Sequence, residues 1–216
     1  MPPKPYAAFL FDMDGTILTS IAATERVWTR WAKRHGLDVG EFLPTIHGKR
    51  AADTIAQQNL DGVDIEAEAE WVVEAEMADT GGIEPAGGVA EFLASLPKDR
   101  WAVVTSALRP LAIRRIEAAG LPVPDLVIAA EDVTNGKPAP DGFLIAADKL
   151  GVPIADCLVF EDSLAGIQSA EAAGARVLVI TGFQHNPVAT SHPSYRDYET
   201  LSTTTAEDGA LLLTAR

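Results

Sequence analysis

Apolar residues follow two different periods along the chain, and each period predicts a different kind of element. Between residues 19 and 82 they recur at helical spacing, whereas elsewhere short apolar runs alternate with helical patterns. Alternation of strands and helices is typical of a parallel sheet covered by helices. The pattern therefore predicts an α/β protein whose first strand is followed by a helical insertion.

The first predicted strand is an apolar run at residues 7–11 that has no helical period and ends at Asp12. A short run bounded by turn residues fits a strand buried on both faces. We therefore predict a Rossmann-like parallel sheet with helices on both faces. The later strands are predicted at residues 101–105, 126–129, 157–160 and 176–180, and the helices before them at 88–96, 110–119, 141–150 and 164–173.

The insertion is predicted to be entirely helical. Its helices are expected near residues 21–35, 51–58 and 65–78, with Ser20 at the first N-terminus. It divides the chain into an α/β core, residues 1–18 and 83–216, and a helical unit, residues 19–82. In the C-terminal part, Asp208–Gly209 predicts a two-residue hairpin.

Polar side chains stand where the predicted core strands end. Taken singly, a carboxylate pair could cap a helix and a threonine or lysine could be structural. Because the C-terminal ends of parallel strands share one edge, their ordered occurrence favours a single site. In chain order these residues are Asp12, Asp14, Thr105, Ser106, Lys137, Glu161 and Asp162.

Four carboxylates in one pocket require a cation or protonation. Two unit charges about 4 Å apart repel by about 4 kcal/mol at an effective dielectric constant of 20. Oxygen ligands without nearby His or Cys favour Mg²⁺, which usually also binds a substrate phosphate. A calcium loop is excluded, because Thr16 and Ile17 stand where a third oxygen ligand and glycine are needed.

Composition narrows the range of partners. The chain has 216 residues and a formal charge of −14, with 31 acidic and 17 basic residues, which disfavours nucleic acid. Its single cysteine, Cys157, cannot form an internal disulfide, which fits a reducing compartment. Neither a signal peptide nor a membrane span is predicted, so we expect a cytoplasmic protein. We expect a monomer or weak homo-oligomer whose partner, given the predicted Mg²⁺ site, is a small-molecule phosphate ester.

The motifs resemble those of the haloacid dehalogenase superfamily of aspartate-nucleophile phosphatases. The matching runs are FDMDGT at residues 11–16, VVTS at 103–106, GKP at 136–138 and VFEDSLAGI at 159–167. The insertion is similar to the helical cap of the β-phosphoglucomutase-like branch. The runs IHGKR, WAVVTSA and NGKPAP look most like those of small sugar-phosphate, 2-deoxyglucose-6-phosphate and glycerol-3-phosphate phosphatases.

This resemblance implies a role for each strand-end residue. Asp12 would be the nucleophile and Asp14 the general acid and base. Mg²⁺ would be held by Asp12, the Met13 carbonyl and Asp162, with Glu161 as a further ligand and the Asp14 side chain as another candidate. The residues expected to bind phosphate are Thr105, Ser106 and Lys137.

Magnesium-dependent hydrolysis of a small phosphorylated sugar or polyol, through an aspartyl-phosphate, is the function that the resemblance implies. One alternative is a phosphosugar mutase of the same branch, but such mutases carry a histidine where this chain has Thr24. Another is a non-catalytic module that binds magnesium or phosphate. In the insertion, at least one of His47, Lys49 and Arg50 is expected to contact substrate.

Overall fold

The structure is a computed structural model that describes residues 5–46, 48–184 and 188–215. Within these residues there are two small antiparallel sheets and one larger parallel sheet. The strands are β1 Pro5–Tyr6, β2 Ala8–Phe11, β3 Leu18–Thr19, β4 Glu84–Pro85, β5 Trp101–Val104, β6 Val127–Ile128, β7 Cys157–Glu161, β8 Arg176–Ile180, β9 Ser194–Tyr195, β10 Leu201–Thr205 and β11 Leu211–Ala215.

In the part of the chain that the structure describes, eight α-helices accompany the strands, together with four short 3₁₀ segments. None of the helices in the described ranges has the length and apolar character that a membrane span requires. The helices are α1 Ile21–Arg34, α2 Val39–Phe42, α3 Ala51–Ala56, α4 Ile65–Ala78, α5 Val89–Ala94, α6 Arg109–Ala118, α7 Asp141–Lys149 and α8 Leu164–Ala173.

The large sheet has six strands in the order β6-β5-β2-β7-β8-β9, and every neighbouring pair is parallel. Strand β2 lies at its centre and all four of its residues are fully buried. Side chains alternate along a strand, so Phe9 and Phe11 enter one core while Ala8 and Leu10 enter the other. This two-sided burial explains why the sequence of β2 is continuously apolar.

Helices cover both faces of this sheet, as predicted. Buried residues of α5 and α6 share one core with Phe9 and Phe11, and buried residues of α7 and α8 share the other with Leu10. The first core is strongly aromatic, with Phe11 stacked on Phe160 at a centroid distance of 4.6 Å. The architecture is a Rossmann-like α/β fold.

Helices α1 to α4 enclose an apolar cluster of their own. Trp28 and Trp31 of α1 pack there with Phe42, and Val72 of α4 closes the cluster. The indole nitrogen of Trp31 donates to Glu68 at 2.8 Å, which satisfies its buried polar end. Helix α4 has the bounds that the sequence predicts, whereas α3 ends two residues before the predicted end.

A two-stranded ladder connects the helical insertion to the core. β3 pairs with β4 antiparallel, so that Leu18 lies opposite Pro85 and Thr19 opposite Glu84. The prediction of an entirely helical stretch from residue 19 was therefore wrong at its start. Ser20 precedes α1, but its side chain makes no capping hydrogen bond.

The C-terminal residues form an antiparallel sheet in the order β1-β11-β10. The predicted hairpin is present, but residues 206–210 connect its strands instead of two residues. The Ala206 N–H donates to the Ala210 carbonyl at 2.8 Å, and Gly209 adopts a φ of 82°. The longer connection places Asp208–Gly209 within a wider turn.

Candidate active site

Asp12 lies directly beyond the C-terminal end of β2. Its backbone N–H donates to the Phe160 carbonyl at 2.9 Å, so the position of Asp12 is fixed by the neighbouring strand β7. The chain then turns at Gly15, whose φ of 95° is favourable only for glycine. Asp12 is 7% exposed, so burial and the strand hold its carboxylate at the sheet edge.

The turn also uses the Met13 carbonyl, which was predicted to hold the metal. This oxygen accepts the N–H groups of Thr16, Ile17 and Leu18 at 3.3, 3.0 and 3.2 Å. A carbonyl oxygen has two lone pairs, so these three contacts fill its accepting capacity. The Met13 carbonyl therefore already stabilises the turn, and its role as a metal ligand stays a prediction.

Lys137 contacts one carboxylate of the first motif and one of the fourth. Its Nζ lies 2.5 Å from Asp12 Oδ1 and 2.7 Å from Glu161 Oε1, and it donates to the Val104 carbonyl at 3.2 Å. All three ammonium donors thus have acceptors. The predicted convergence of Lys137 with the acidic strand ends is present in the structure.

For both Asp12 and Lys137, the effect of burial on the pKa is opposed by the oppositely charged neighbour. Burial and the neighbouring Glu161 raise the pKa of Asp12 to about 7, although Lys137 opposes this change. For Lys137, burial lowers the pKa, but Asp12 and Glu161 outweigh burial and raise it. Lys137 therefore remains charged, whereas burial and the neighbouring carboxylates raise the pKa values of Asp12 and Asp162 and favour their protonated forms unless a cation binds.

Three carboxylates in the described part of the chain lie close enough to hold one cation. Asp12, Glu161 and Asp162 each offer an oxygen, and these oxygens lie within 4.8 Å of one another. When all three are ionised, one lysine cannot balance them, so a bound cation would stabilise the ionised forms; the ligand atoms are all hard oxygens, which fits Mg²⁺. Asp14, predicted as a candidate ligand, lies outside this group.

One carboxylate oxygen of Glu161 already accepts three hydrogen bonds. Its Oε2 accepts the N–H groups of Asp162 and Ser163 at 2.8 and 2.9 Å and the Ser163 hydroxyl at 3.1 Å. A Cβ at Gly166 would lie 1.6 Å from Glu161 Oε1, so glycine is needed there. Glu161 is thus placed to orient Lys137 and the start of α8.

Asp162 lies against the turn of the first motif. A Cβ at Gly15 would lie 2.1 Å from Asp162 Oδ2, so this approach also requires glycine. The Thr16 hydroxyl donates to Asp162 Oδ1 at 3.5 Å. The Gln184 side chain donates to the Asp162 carbonyl, a contact for which the sequence contains no recognisable signal.

Thr105 and Ser106 end β5 beside the acidic cluster but differ in orientation. Thr105 is buried, and its Oγ1 accepts the Ala107 N–H at 3.1 Å, which leaves its hydroxyl hydrogen available for donation. Ser106 instead donates to the Gly48 carbonyl of the insertion at 3.0 Å. The predicted phosphate contact therefore suits Thr105, whereas the Ser106 hydroxyl already has an acceptor.

Asp14 is held apart from the other carboxylates by a second network. Its Oδ1 accepts from the Ser20 hydroxyl at 2.5 Å and its Oδ2 from Arg115 Nη1 at 2.9 Å. Arg115 Nη2 also donates to Thr24 Oγ1 at 3.0 Å and lies 3.1 Å from Glu76 Oε2. Arg115, Ser20 and Glu76 were not predicted as site residues, because only the fold brings them to Asp14.

Two of the basic residues predicted in the insertion, Lys49 and Arg50, make different contacts. Arg50 pairs with Asp53 at 2.6 Å and donates to the Thr134 carbonyl at 3.3 Å, which brings it to the core loops. Lys49 donates to Gln57 within the insertion at 2.9 Å. His47 lies outside the described residues.

Two cavities differ in size and chemistry. A cavity of about 520 Å³ lies between α1 and α4, against Trp71, and none of the predicted site residues lines it. A cavity of about 20 Å³ lies between Arg50, Thr105, Ser106 and Lys137. The smaller one has room for about one water molecule, so the insertion is packed tightly over the core in this structure.

Comparisons with known proteins agree with this geometry. The chain matches the haloacid dehalogenase-like hydrolase family over residues 6–174. It is 40% identical to hexitol phosphatase A of Escherichia coli, with 83% of this chain and 85% of that protein covered. It is 37% identical to glycerol-1-phosphate phosphohydrolase 2 of Saccharomyces cerevisiae, with coverage of 80% and 74%.

A solved structure shows the same fold. CbbY from Rhodobacter sphaeroides, crystallised with phosphate, superposes with a TM-score of 0.76 at 26% identity, with 89% of this chain and 95% of that chain covered. The family match covers more than half of the chain and contains every motif at the sheet edge. The protein therefore belongs to the haloacid dehalogenase-like hydrolases.

Proposed function

We propose that this protein is a magnesium-dependent phosphatase that hydrolyses a small phosphorylated sugar or polyol through an aspartyl-phosphate. The observation that carries the proposal is the arrangement around Asp12, where Lys137 holds one carboxylate oxygen and Asp162 stands beside it. The hexitol and glycerol-1-phosphate activities named for two relatives support the substrate class.

Asp12 and Asp14 have different roles in the proposed reaction. Since Lys137 occupies Asp12 Oδ1, the second oxygen, Oδ2, attacks phosphorus. A bond from Asp12 to phosphorus forms, the ester P–O bond breaks, and Asp14 gives its proton to the departing oxygen. Asp14 then takes a proton from the water that hydrolyses the acyl-phosphate, and Asp12 is regenerated.

Lys137 and Thr105 serve the transferring phosphoryl group. The ammonium opposes negative charge beside Asp12, and the Thr105 hydroxyl can donate to a phosphoryl oxygen. Asp12 and Asp162 would hold Mg²⁺, while Glu161 orients Lys137. When bound, the ion would offset repulsion between the carboxylates and the phosphate and polarise the phosphoryl group.

We propose that residues 19–82 form the cap and that residues 1–18 and 83–216 form the catalytic core. The β3–β4 ladder would carry the hinge, since both connections between the two units run through it. Opening would admit substrate to the tightly closed edge, and closing would exclude bulk water. The contact of Arg50 with the Thr134 carbonyl and its position at the small cavity beside Thr105 and Lys137 support a role for it toward the leaving group.

A phosphate-release screen tests this function. Purified protein with Mg²⁺ is incubated with hexitol, hexose, glycerol and nucleotide phosphates, and Asp12→Asn serves as the matched control. We expect release from polyol or sugar phosphates that disappears with chelator and in Asp12→Asn. Absence of release from every ester, or release unchanged in Asp12→Asn, would contradict the proposal.

The same screen distinguishes the mutase alternative. A mutase would convert glucose 1-phosphate to glucose 6-phosphate with little free phosphate. Thr24, where such mutases carry histidine, accepts a hydrogen bond from Arg115 in this structure. No observation on the site favours transfer to a second sugar position over transfer to water.

A further inference from the structure

Arg115 is a buried cation outside the motifs, and it touches both the core and the insertion. It lies on α6 among apolar residues that pack against the sheet, and it is only 6% exposed. A buried guanidinium is stable only when charged partners and acceptors surround it. Arg115 has such partners in Asp14, Glu76 and Thr24.

The three partners belong to three different segments. Asp14 lies in the turn after β2, Thr24 in α1 and Glu76 near the end of α4. One guanidinium nitrogen faces Asp14 at 2.9 Å, while the other faces Thr24 at 3.0 Å and Glu76 at 3.1 Å. Because the guanidinium group is planar and rigid, the contacts of Arg115 with Thr24 and Glu76 also fix the position from which it donates to Asp14.

The same contacts fix Asp14 on both of its oxygens. Ser20 holds Oδ1 and Arg115 holds Oδ2, and Ser20 lies between β3 and α1, where the chain enters the insertion. Glu76 is 7% exposed and balances the charge of Arg115. Arg115 can therefore orient Asp14 without adding a net positive charge to this side of the site.

We propose that Arg115 is a positioning residue for Asp14: seated by Glu76 and Thr24, it makes the position of the Asp14 carboxylate depend on how the insertion packs on the core. The inference rests on the proposed phosphatase function, in which Asp14 protonates the leaving oxygen. Its consequence is specific, since misalignment of a proton donor matters most when the leaving group is a poor one.

The test measures kcat/KM, with Mg²⁺ present, for 2,4-dinitrophenyl, 4-nitrophenyl and phenyl phosphate and for glycerol 1-phosphate. The variants are Arg115→Met and, as matched control, Arg114→Met, because Arg114 is an exposed neighbour on the same helix. General acid catalysis contributes roughly 10²–10⁴-fold, so we expect Arg115→Met to lose about 100-fold on glycerol 1-phosphate and less than about tenfold on the dinitrophenyl ester. Arg114→Met should lose equally little on all four.

Two milder variants keep the inference testable if Arg115→Met does not fold. Thr24→Val removes one acceptor of Arg115, and Glu76→Gln removes its balancing charge, with Glu74→Gln as the exposed control on α4. Both should show losses that grow as the leaving group becomes poorer. Equal losses on all esters, or no loss, in an active enzyme would overturn the positioning role alone. A wild-type protein that cleaves none of the esters would overturn the proposed function as well.

Discussion

At the scale of single residues, two glycines allow acidic side chains to approach the backbone. Gly15 permits Asp162 to approach the first motif, and Gly166 permits Glu161 to lie under α8. Any side chain at either position would overlap a carboxylate that this site uses. The glycines of the first and fourth motifs therefore have a steric explanation that involves carboxylates of the fourth motif.

Gly166→Ala should lower activity strongly in a protein that still folds. The new methyl group would displace Glu161, and Lys137 would lose one of its two carboxylate partners. Overpacking typically costs about 1–3 kcal/mol, whereas a misplacement of about 1 Å near the reacting groups costs about 100-fold in rate. Thermal unfolding and phosphate release measure the two effects.

Gly40→Ala is the matched control for this change. Gly40 is an exposed residue of α2, and a Cβ there would meet only the Asp38 side chain, at 3.3 Å. We expect its activity to remain close to that of the unmodified protein. A Gly166→Ala protein with full activity would show that the position of Glu161 is unimportant.

At the scale of elements, the sequence was sufficient to place the ends of the core strands. Apolar runs predicted β2, β5, β7 and β8, and parallel pairing brought their polar ends to one edge. The Arg115 network was not predictable, because it depends on how α6 meets α1 and α4 in three dimensions. The three hydrogen bonds that the Met13 carbonyl accepts were not predictable either, since a turn's hydrogen bonds follow from its geometry.

The short loop before α3 is the element in which substrate selectivity is expected. Arg50 reaches the core there, whereas Lys49 bonds within the insertion. Arg50→Ala should lower kcat/KM for a polyol phosphate by about 10-fold or more and for 4-nitrophenyl phosphate by much less, because the aryl ester lacks the hydroxyls that a polar site recognises.

Lys33→Ala is the control for the Arg50 variant, since Lys33 is an exposed basic residue of α1. If the effect of Arg50→Ala comes from the loop and not from the overall charge of the insertion, Lys33→Ala should preserve both activities. Equal losses of the Arg50 variant on both esters would remove its role in selectivity and leave only its pairing with Asp53.

At the scale of the whole molecule, polar contacts lie between the apolar cluster of the insertion and the α/β core. The insertion has its own cluster around Trp31, and the sheet has a core on each face. Between them lie Arg115 with Glu76, and the contact from Ser106 to the Gly48 carbonyl. Such a polar interface suits repeated opening better than an apolar interface, since water can replace its hydrogen bonds.

The central claim is that Asp12 carries the phosphoryl group during turnover, and intact-protein mass spectrometry tests it most directly. Asp14→Asn is mixed with Mg²⁺ and 2,4-dinitrophenyl phosphate, whose leaving group needs little protonation, and the reaction is quenched in acid. Without Asp14 as base, hydrolysis of the intermediate should be slow. We predict a mass increase of one phosphoryl group, located on Asp12 by peptide mapping and absent from the Asp12→Asn, Asp14→Asn double variant. Turnover with no phosphorylated protein at any time, or phosphate on another residue, would contradict the account.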